Sequence, residues 1–121
     1  MAKTTPPHQR RGREAEDAAC DHLRQNGLTL LARNYRSPWG EIDLVMQDGD
    51  GLVFVEVRYR ANTDFGAPAE TVDGGKQSRL RATAEHYLQH TRGASRKPCR
   101  FDIVAIAGGA DGGLHWLRNA F

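Results

Sequence analysis

The sequence predicts an α/β domain: a mixed β-sheet flanked by helices, in the order α-β-β-β-α-β-β. Three observations predict it. Small apolar residues recur at helical spacing before Gly27, and alternating runs on either side of Asp48-Gly49-Asp50-Gly51 read as a hairpin. A second helical stretch then separates that hairpin from further strand-like runs. With 121 residues there is room for one domain and one modest core, and no internal repeat is present.

Residues 1–9, with Pro6 and Pro7, read as a disordered lead-in, and residues 10–121 as a single domain. The first helix is expected from about Gly12 to Asn26, with Ala15, Ala18, Ala19 and Leu23 at helical spacing and Gly27 as C-terminal cap. Glu16 lies on the side of Ala19, Cys20 and Leu23, so its carboxylate leans toward the core margin and needs a partner or an ion. Leu28–Tyr35 is a first strand, ended by the turn Ser37-Pro38-Trp39-Gly40. Glu41–Gln47 alternates, with Ile42, Leu44 and Met46 opposed to Glu41, Asp43 and Val45. Leu52–Arg60 alternates likewise, with Val53, Val55, Val57 and Tyr59 opposed to Leu52, Phe54, Glu56, Arg58 and Arg60. Residues 61–75, with three glycines and a proline, form a long irregular loop of the kind that serves function or moves. A second helix follows over Lys76–His90, with Leu80, Ala84, Tyr87 and Leu88 as its apolar stripe. Arg100–Ala107 and Leu114–Leu117 complete the strands.

The composition, 39% hydrophobic and 26% charged, excludes a disordered chain and a membrane-embedded one. No apolar run approaches the ~20 residues that span a bilayer. Met1–Arg13 is basic without an apolar stretch, which is not a secretory signal. Cys20 and Cys99 stand far apart in no metal-binding spacing, so reduced thiols and a cytoplasmic location are expected. The net charge of +2 is unevenly spread. Between Ser37 and Val57 the charges are all acidic, whereas Lys76–Arg100 is nearly all basic and Arg10, Arg11 and Arg13 add a second basic cluster. Such a pattern suits a polyanion held at the rim and a cation in the middle, although on charge alone two solvated faces of opposite sign are the favoured reading.

The hairpin is the candidate site. If Gly49-Asp50 is the two-residue loop, Met46 faces Val53, Leu44 faces Val55 and Ile42 faces Val57, giving one apolar face. On the other face Asp43 opposes Glu56 and Glu41 opposes Arg58. Carboxylates directly paired across strands lie ~5 Å apart at Cβ and repel, unless a cation compensates. Mg²⁺ is such a cation, a hard ion commonly held by one or two carboxylates. A turn shifted by one residue pairs Asp43 with Arg58 instead, yet all three side chains still share a face. A solvent-facing ladder of mutually neutralising charges accounts for the same alternation. Against it, Glu56 interrupts the apolar run Leu52-Val53-Phe54-Val55, and Glu16 can offer a further acid to the same ion.

Other features are open to two readings. His86 and His90 are four apart on a helix but lack the glutamate of a metalloprotease motif, and read as exposed histidines. Trp39 and Trp116 suit base stacking or the core equally. Asp102, at the start of a strand, suits a supporting or salt-bridge role.

The set Asp43, twelve intervening residues, Glu56-Val57-Arg58 resembles the signature of the PD-(D/E)xK nuclease superfamily. More closely, the chain resembles the YraN-type family of uncharacterised bacterial proteins, related to archaeal Holliday-junction resolvases. The matching stretches are Gly12–Ala19 with Glu16, Asn34-Tyr35-Arg36, Gly40–Leu44, Phe54–Arg60, Gly66-Ala67-Pro68, Lys76-Gln77 and Arg100-Phe101-Asp102. The resemblance implies a restriction-endonuclease-like core and a Mg²⁺-dependent (or Mn²⁺-dependent) DNA endonuclease, with structure selectivity of the resolvase kind as one form of it. It implies Asp43, Glu56 and Arg58 as catalytic residues, Glu16, Asp43 and Glu56 as metal ligands, and a homodimer. Arg13, Arg60, Lys76 and Arg79 are the expected nucleic-acid contacts. One departure stands out: Arg58 occupies the place of the superfamily's lysine. Arginine keeps the charge and clamps phosphate, but its pKa excludes it as a base near neutral pH. Lys76 either supplies the missing ammonium or is an ordinary surface lysine. The alternative function is a catalytically inactive nucleic-acid-binding or structural adaptor on the same fold.

Overall fold

The computed structural model describes residues 7–60, 72–108 and 113–121. The chain runs α1 (Pro7–Gln25), β1 (Thr29–Ser37), β2 (Gly40–Asp48), β3 (Gly51–Arg60), α2 (Gly74–His90), a 3₁₀ turn (Ala94–Arg96), β4 (Cys99–Ala107) and β5 (Leu114–Leu117). The five strands form one mixed sheet in sequential order, all neighbours antiparallel except β3 and β4, which α2 connects in parallel. This is the expected α/β order with a restriction-endonuclease-like core. The expected strand and second-helix positions hold to within two residues at each end. The first helix instead begins at Pro7, about five residues early, and takes in residues assigned to the lead-in. Proline is well placed in a first helical turn, where its missing N–H has no partner to lose. Residues 1–6 and most of the expected 61–75 loop, through residue 71, lie outside the described residues.

Helices cover both faces of the sheet. Ala19, Cys20 and Leu23 of α1 pack on Leu44, Met46, Val53, Val55 and Val104. Leu80, Ala84 and Tyr87 of α2 pack on Ile42, Val45, Leu52, Phe54, Phe101 and Ile103. Each of the large aliphatic and aromatic side chains contributes roughly 1.5–3 kcal/mol by leaving water. The expectation of a single apolar face is therefore corrected. Val45, expected among the polar side chains, is fully buried against α2, because the crossover helix that joins parallel strands must cover the second face.

Both helices stop and start where the chain chemistry directs. Gly27 adopts φ 94° behind α1, a left-handed conformation that glycine accepts without a Cβ clash. Asp73 caps α2, its Oδ1 accepting from the Lys76 backbone N–H at 2.8 Å. That cap fixes the start of α2, and with it the position of Lys76.

Candidate functional site

The β2–β3 hairpin has the expected register: Asp48 pairs Gly51, Gln47 pairs Leu52, Met46 pairs Val53, Val45 pairs Phe54 and Leu44 pairs Val55. Gly49 takes φ 59° while Asp50 stays at negative φ, the φ pattern of a type II′ turn. The pairing then ends at Leu44↔Val55, one step before Asp43 and Glu56. The expected pairs Ile42–Val57 and Glu41–Arg58 do not form. Beyond this point β2 pairs with β1, and β3 continues along β4.

A break in alternation causes the opening. Leu44 joins the α1-side core, yet Ile42, two residues earlier, joins the α2-side core. On the neighbouring strand Asn34 adopts φ 52° between Arg33, paired with Leu44, and Tyr35, paired with Ile42. A left-handed residue within a strand rotates the chain, and asparagine is among the few residues that tolerate it. Asp43 is thereby turned toward β3, where its Oδ2 accepts the Val57 backbone N–H at 2.8 Å. A side chain replaces the carbonyl that a regular ladder would offer.

Asp43 and Glu56 meet in this opening. Glu56 is 7% exposed, and its Oε1 lies 2.5 Å from Lys76 Nζ of α2. Burial pushes the Asp43 carboxyl up to about 8, with the neighbouring Glu56 charge adding to the effect. The Val57 N–H pulls it down, while Glu16 and Glu41 push it further up. Asp43 is consequently a carboxyl that holds its proton near neutrality unless a cation replaces it.

Two hollows meet at the Glu56–Lys76 pair. One, of about 260 Å³, is lined by Gly40, Glu41, Asp43, Glu56, Lys76, Arg79 and Leu80. The other, of about 350 Å³, is lined by Glu56, Val57, Arg58, Tyr59 and Lys76. The ion pair is the partition between an acidic side and the Arg58 side. Arg58 Nη1 is buried with no hydrogen-bond partner among the described residues. Arg100 Nη2 is left the same way beside its ion pairs with Asp48 and Asp102, and a buried guanidinium nitrogen of this kind favours an acceptor oxygen.

The remaining expected residues divide. Arg79 lines the acidic hollow and Lys76 sits at its centre. Glu16 lies on α1, against the opposite face of the sheet; it reaches Asp43 through its charge, and its Oε1 pairs with Arg33 at 3.4 Å. Among the described residues no three His, Cys, Asp or Glu side chains converge on one point. Arg13 is exposed on α1, away from α2, and the side chain of Arg60 lies outside the described residues. Asp102 is fully buried and structural. It accepts from Arg100 Nε at 3.0 Å, Trp116 Nε1 at 2.9 Å and the Asn119 N–H at 2.9 Å, tying β5 and the following turn to β4. Sequence reasoning missed Gly40 and Leu80 as lining residues, and it missed the rotation at Asp43. Its signal was present: Asn34 and Asp43, both turn-prone residues, fall at facing positions of two adjacent strands.

Two carboxylates beside lysine and arginine, in an opening of a mixed sheet between helices, define an α/β protein with a restriction-endonuclease-like core and a two-carboxylate polar centre. The chain belongs to the uncharacterised protein family UPF0102, whose model matches residues 15–106. It is 51% identical to a UPF0102 protein of Nitrosococcus oceani, over 94% of this chain and 93% of the relative. It is 52% identical to one of Pseudomonas fluorescens, over 93% of this chain and 94% of the relative. A UPF0102 protein of Pseudomonas entomophila is 53% identical over 91% of each chain. Among the described residues no helix is long and apolar enough to cross a membrane.

Proposed function

We propose that this protein is a Mg²⁺-dependent phosphodiesterase acting on DNA in the cytoplasm. The observation that carries the reading is the convergence of Asp43 and Glu56 in the strand opening, with Arg58 lining the adjoining hollow. The residues fit a hard divalent cation. Asp43, raised by burial and by the Glu56 charge, exchanges a proton for a cation near neutral pH, and Mg²⁺ takes one or two carboxylates while retaining waters. Asp43 and Glu56 are the groups that hold Mg²⁺ or Mn²⁺, with Glu16 a further acid behind Asp43. When bound, the ion supplies Lewis-acid polarisation of the phosphoryl group and lowers the pKa of water.

The chain's own groups do the rest. The Val57 N–H fixes Asp43 in one orientation. Arg58, which lines the second hollow, offers its guanidinium to a phosphate oxygen, with a charge that persists at any physiological pH. Lys76 neutralises Glu56 in the absence of other cations and, once released, places an ammonium between the two hollows, beside the Arg58 phosphate position. Arg79 adds charge at the mouth. Branched-DNA selectivity and a homodimer are proposed from the family resemblance alone.

The Lys76–Glu56 contact also favours a second reading, in which the lysine is the permanent counter-ion and the protein binds nucleic acid without cutting it. Incubation of linear and four-way-branched DNA with Mg²⁺ or Mn²⁺ separates the two. Metal-dependent cleavage lost in Asp43→Asn and Glu56→Gln is the expected result. Binding without cleavage, indifferent to metal and to both substitutions, would overturn hydrolysis in favour of the adaptor.

A further inference from the structure

The β1–β2 turn carries an aromatic residue for which the core has no use. Trp39 is 54% exposed, whereas Trp116 packs at the α1-side core and donates to Asp102. Trp39 is nevertheless held in place. Its backbone N–H donates to Ser37 Oγ at 3.1 Å, and Ser37 Oγ is bonded to Thr83 Oγ1 of α2 at 2.8 Å. Its ring meets the His86 imidazole at 6.2 Å between centroids, inclined at 63°. His86 is fixed in turn by Tyr35, whose hydroxyl is 2.5 Å from Nδ1, and by His90, stacked on it at 4.0 Å. An exposed indole on an anchored turn, meeting the edge of a hydrogen-bonded imidazole, offers an open π-surface.

Its position gives that surface a ligand. Gly40, the next residue, lines the acidic hollow, and so does Arg79, one turn of α2 before Thr83. Arg36, across the turn, is a second exposed cation, 3.7 Å from Glu41. Cations flanking an exposed aromatic beside a phosphate-handling hollow are complementary to a nucleic-acid strand whose base is free to stack. A base inside a duplex is covered on both faces by its neighbours, so the surface selects an unpaired one.

We propose that Trp39, backed by His86, is a stacking platform for an unpaired nucleobase, with the strand's backbone passing Arg79 toward Asp43 and Glu56. This deepens the proposed function by naming the substrate class, a single-stranded or locally unpaired segment, and its placement beside the acidic hollow rests on that reading. The platform itself rests on the geometry of the turn.

The test is binding of fluorescein-labelled dT12 and of a blunt duplex of the same length, by anisotropy at low salt with Ca²⁺ in place of Mg²⁺. Trp39→Ala is expected to weaken dT12 binding about tenfold, and Trp39→Phe to keep most of the affinity. Duplex binding is expected to be the same in all three proteins. Equal dT12 binding by wild type and Trp39→Ala would overturn the platform, as would no binding by the wild type or an equal loss on the duplex. Parallel cleavage assays with Mg²⁺ keep the two ideas apart. Trp39-dependent binding without any cleavage sinks hydrolysis and leaves the platform, while full cleavage of single strands by Trp39→Ala sinks the platform and leaves hydrolysis.

Discussion

Replacing Asp43 by asparagine should stabilise the metal-free protein, and increasingly so as the pH rises. An unfolded aspartate titrates near 3.8, whereas in the fold burial and the Glu56 charge hold the Asp43 carboxyl up at about 8. Between these values the folded state carries a proton that the unfolded state has lost. Stability therefore falls as the pH rises through this window, by up to about 1.4 kcal/mol per pH unit. The contribution is complete at pH below the unfolded value and gone above the folded one. Asparagine does not titrate, its Oδ1 still accepts the Val57 N–H, and its amide can donate toward Glu56. Between about pH 6 and about pH 8 the variant should gain roughly 2–3 kcal/mol on the wild type, a difference on the order of 10 °C in Tm for a domain of this size. Thermal unfolding followed by circular dichroism in EDTA, across that range, measures it. A Tm difference that is flat with pH, or that grows toward acid, would refute the buried-acid account of the site.

Three further outcomes follow from the same geometry. Lys76→Met removes the counter-ion of buried Glu56 and should cost about 3 kcal/mol in chemical denaturation, most of it recovered in the Lys76→Met/Glu56→Gln double variant; an unchanged midpoint would show that the ion pair is idle. Binding of Mg²⁺ or Mn²⁺ must displace the Asp43 proton below about pH 8, so affinity should rise up to about tenfold per pH unit, and calorimetry in two buffers of different ionisation enthalpy should show about one proton released. Proton-silent binding would remove Asp43 from the ligand set. Asp102→Asn turns an amide donor toward Arg100 Nε, Trp116 Nε1 or the Asn119 N–H, and should cost about 2–3 kcal/mol with earlier unfolding of Trp116 fluorescence, while leaving metal affinity unchanged.

The hairpin was legible because its determinants are local. Gly49-Asp50 sets the turn, the turn sets the register, and the register places Leu44 opposite Val55 without any knowledge of the rest of the molecule. The two-faced core was less legible. Val45 sits between Leu44 and Met46 and breaks the polar alternation that a half-exposed strand would keep, and that apolar triplet was the available sign that a helix covers the second face. The strand opening was the least legible part. Alternation assumes that the chain keeps its pleat, and a single left-handed residue in a neighbouring strand is enough to break the assumption. Glu16 shows the same limit from the other side: helical periodicity placed it correctly at the core margin, but only the packing of α1 reveals that Arg33 shares it.

The opening also explains how one sheet can hold an acid pair without being undone by it. In an unbroken ladder Asp43 and Glu56 would stand as direct cross-strand neighbours on a face that α2 buries, with no water to separate their charges. Three features of the structure relieve that arrangement, each by a different means. The rotation at Asn34 and Asp43 takes Asp43 out of the regular cross-strand position and gives one of its oxygens a backbone donor. The raised pKa leaves Asp43 neutral near pH 7, which removes one of the two charges. Lys76, positioned by the Asp73 cap, answers the other. None of these serves the packing of the sheet, which would be better satisfied by two apolar residues in the manner of Leu44 and Val55. The fold departs from its own regularity at one point and offsets the departure three ways, so it keeps an acid pair that its packing does not require.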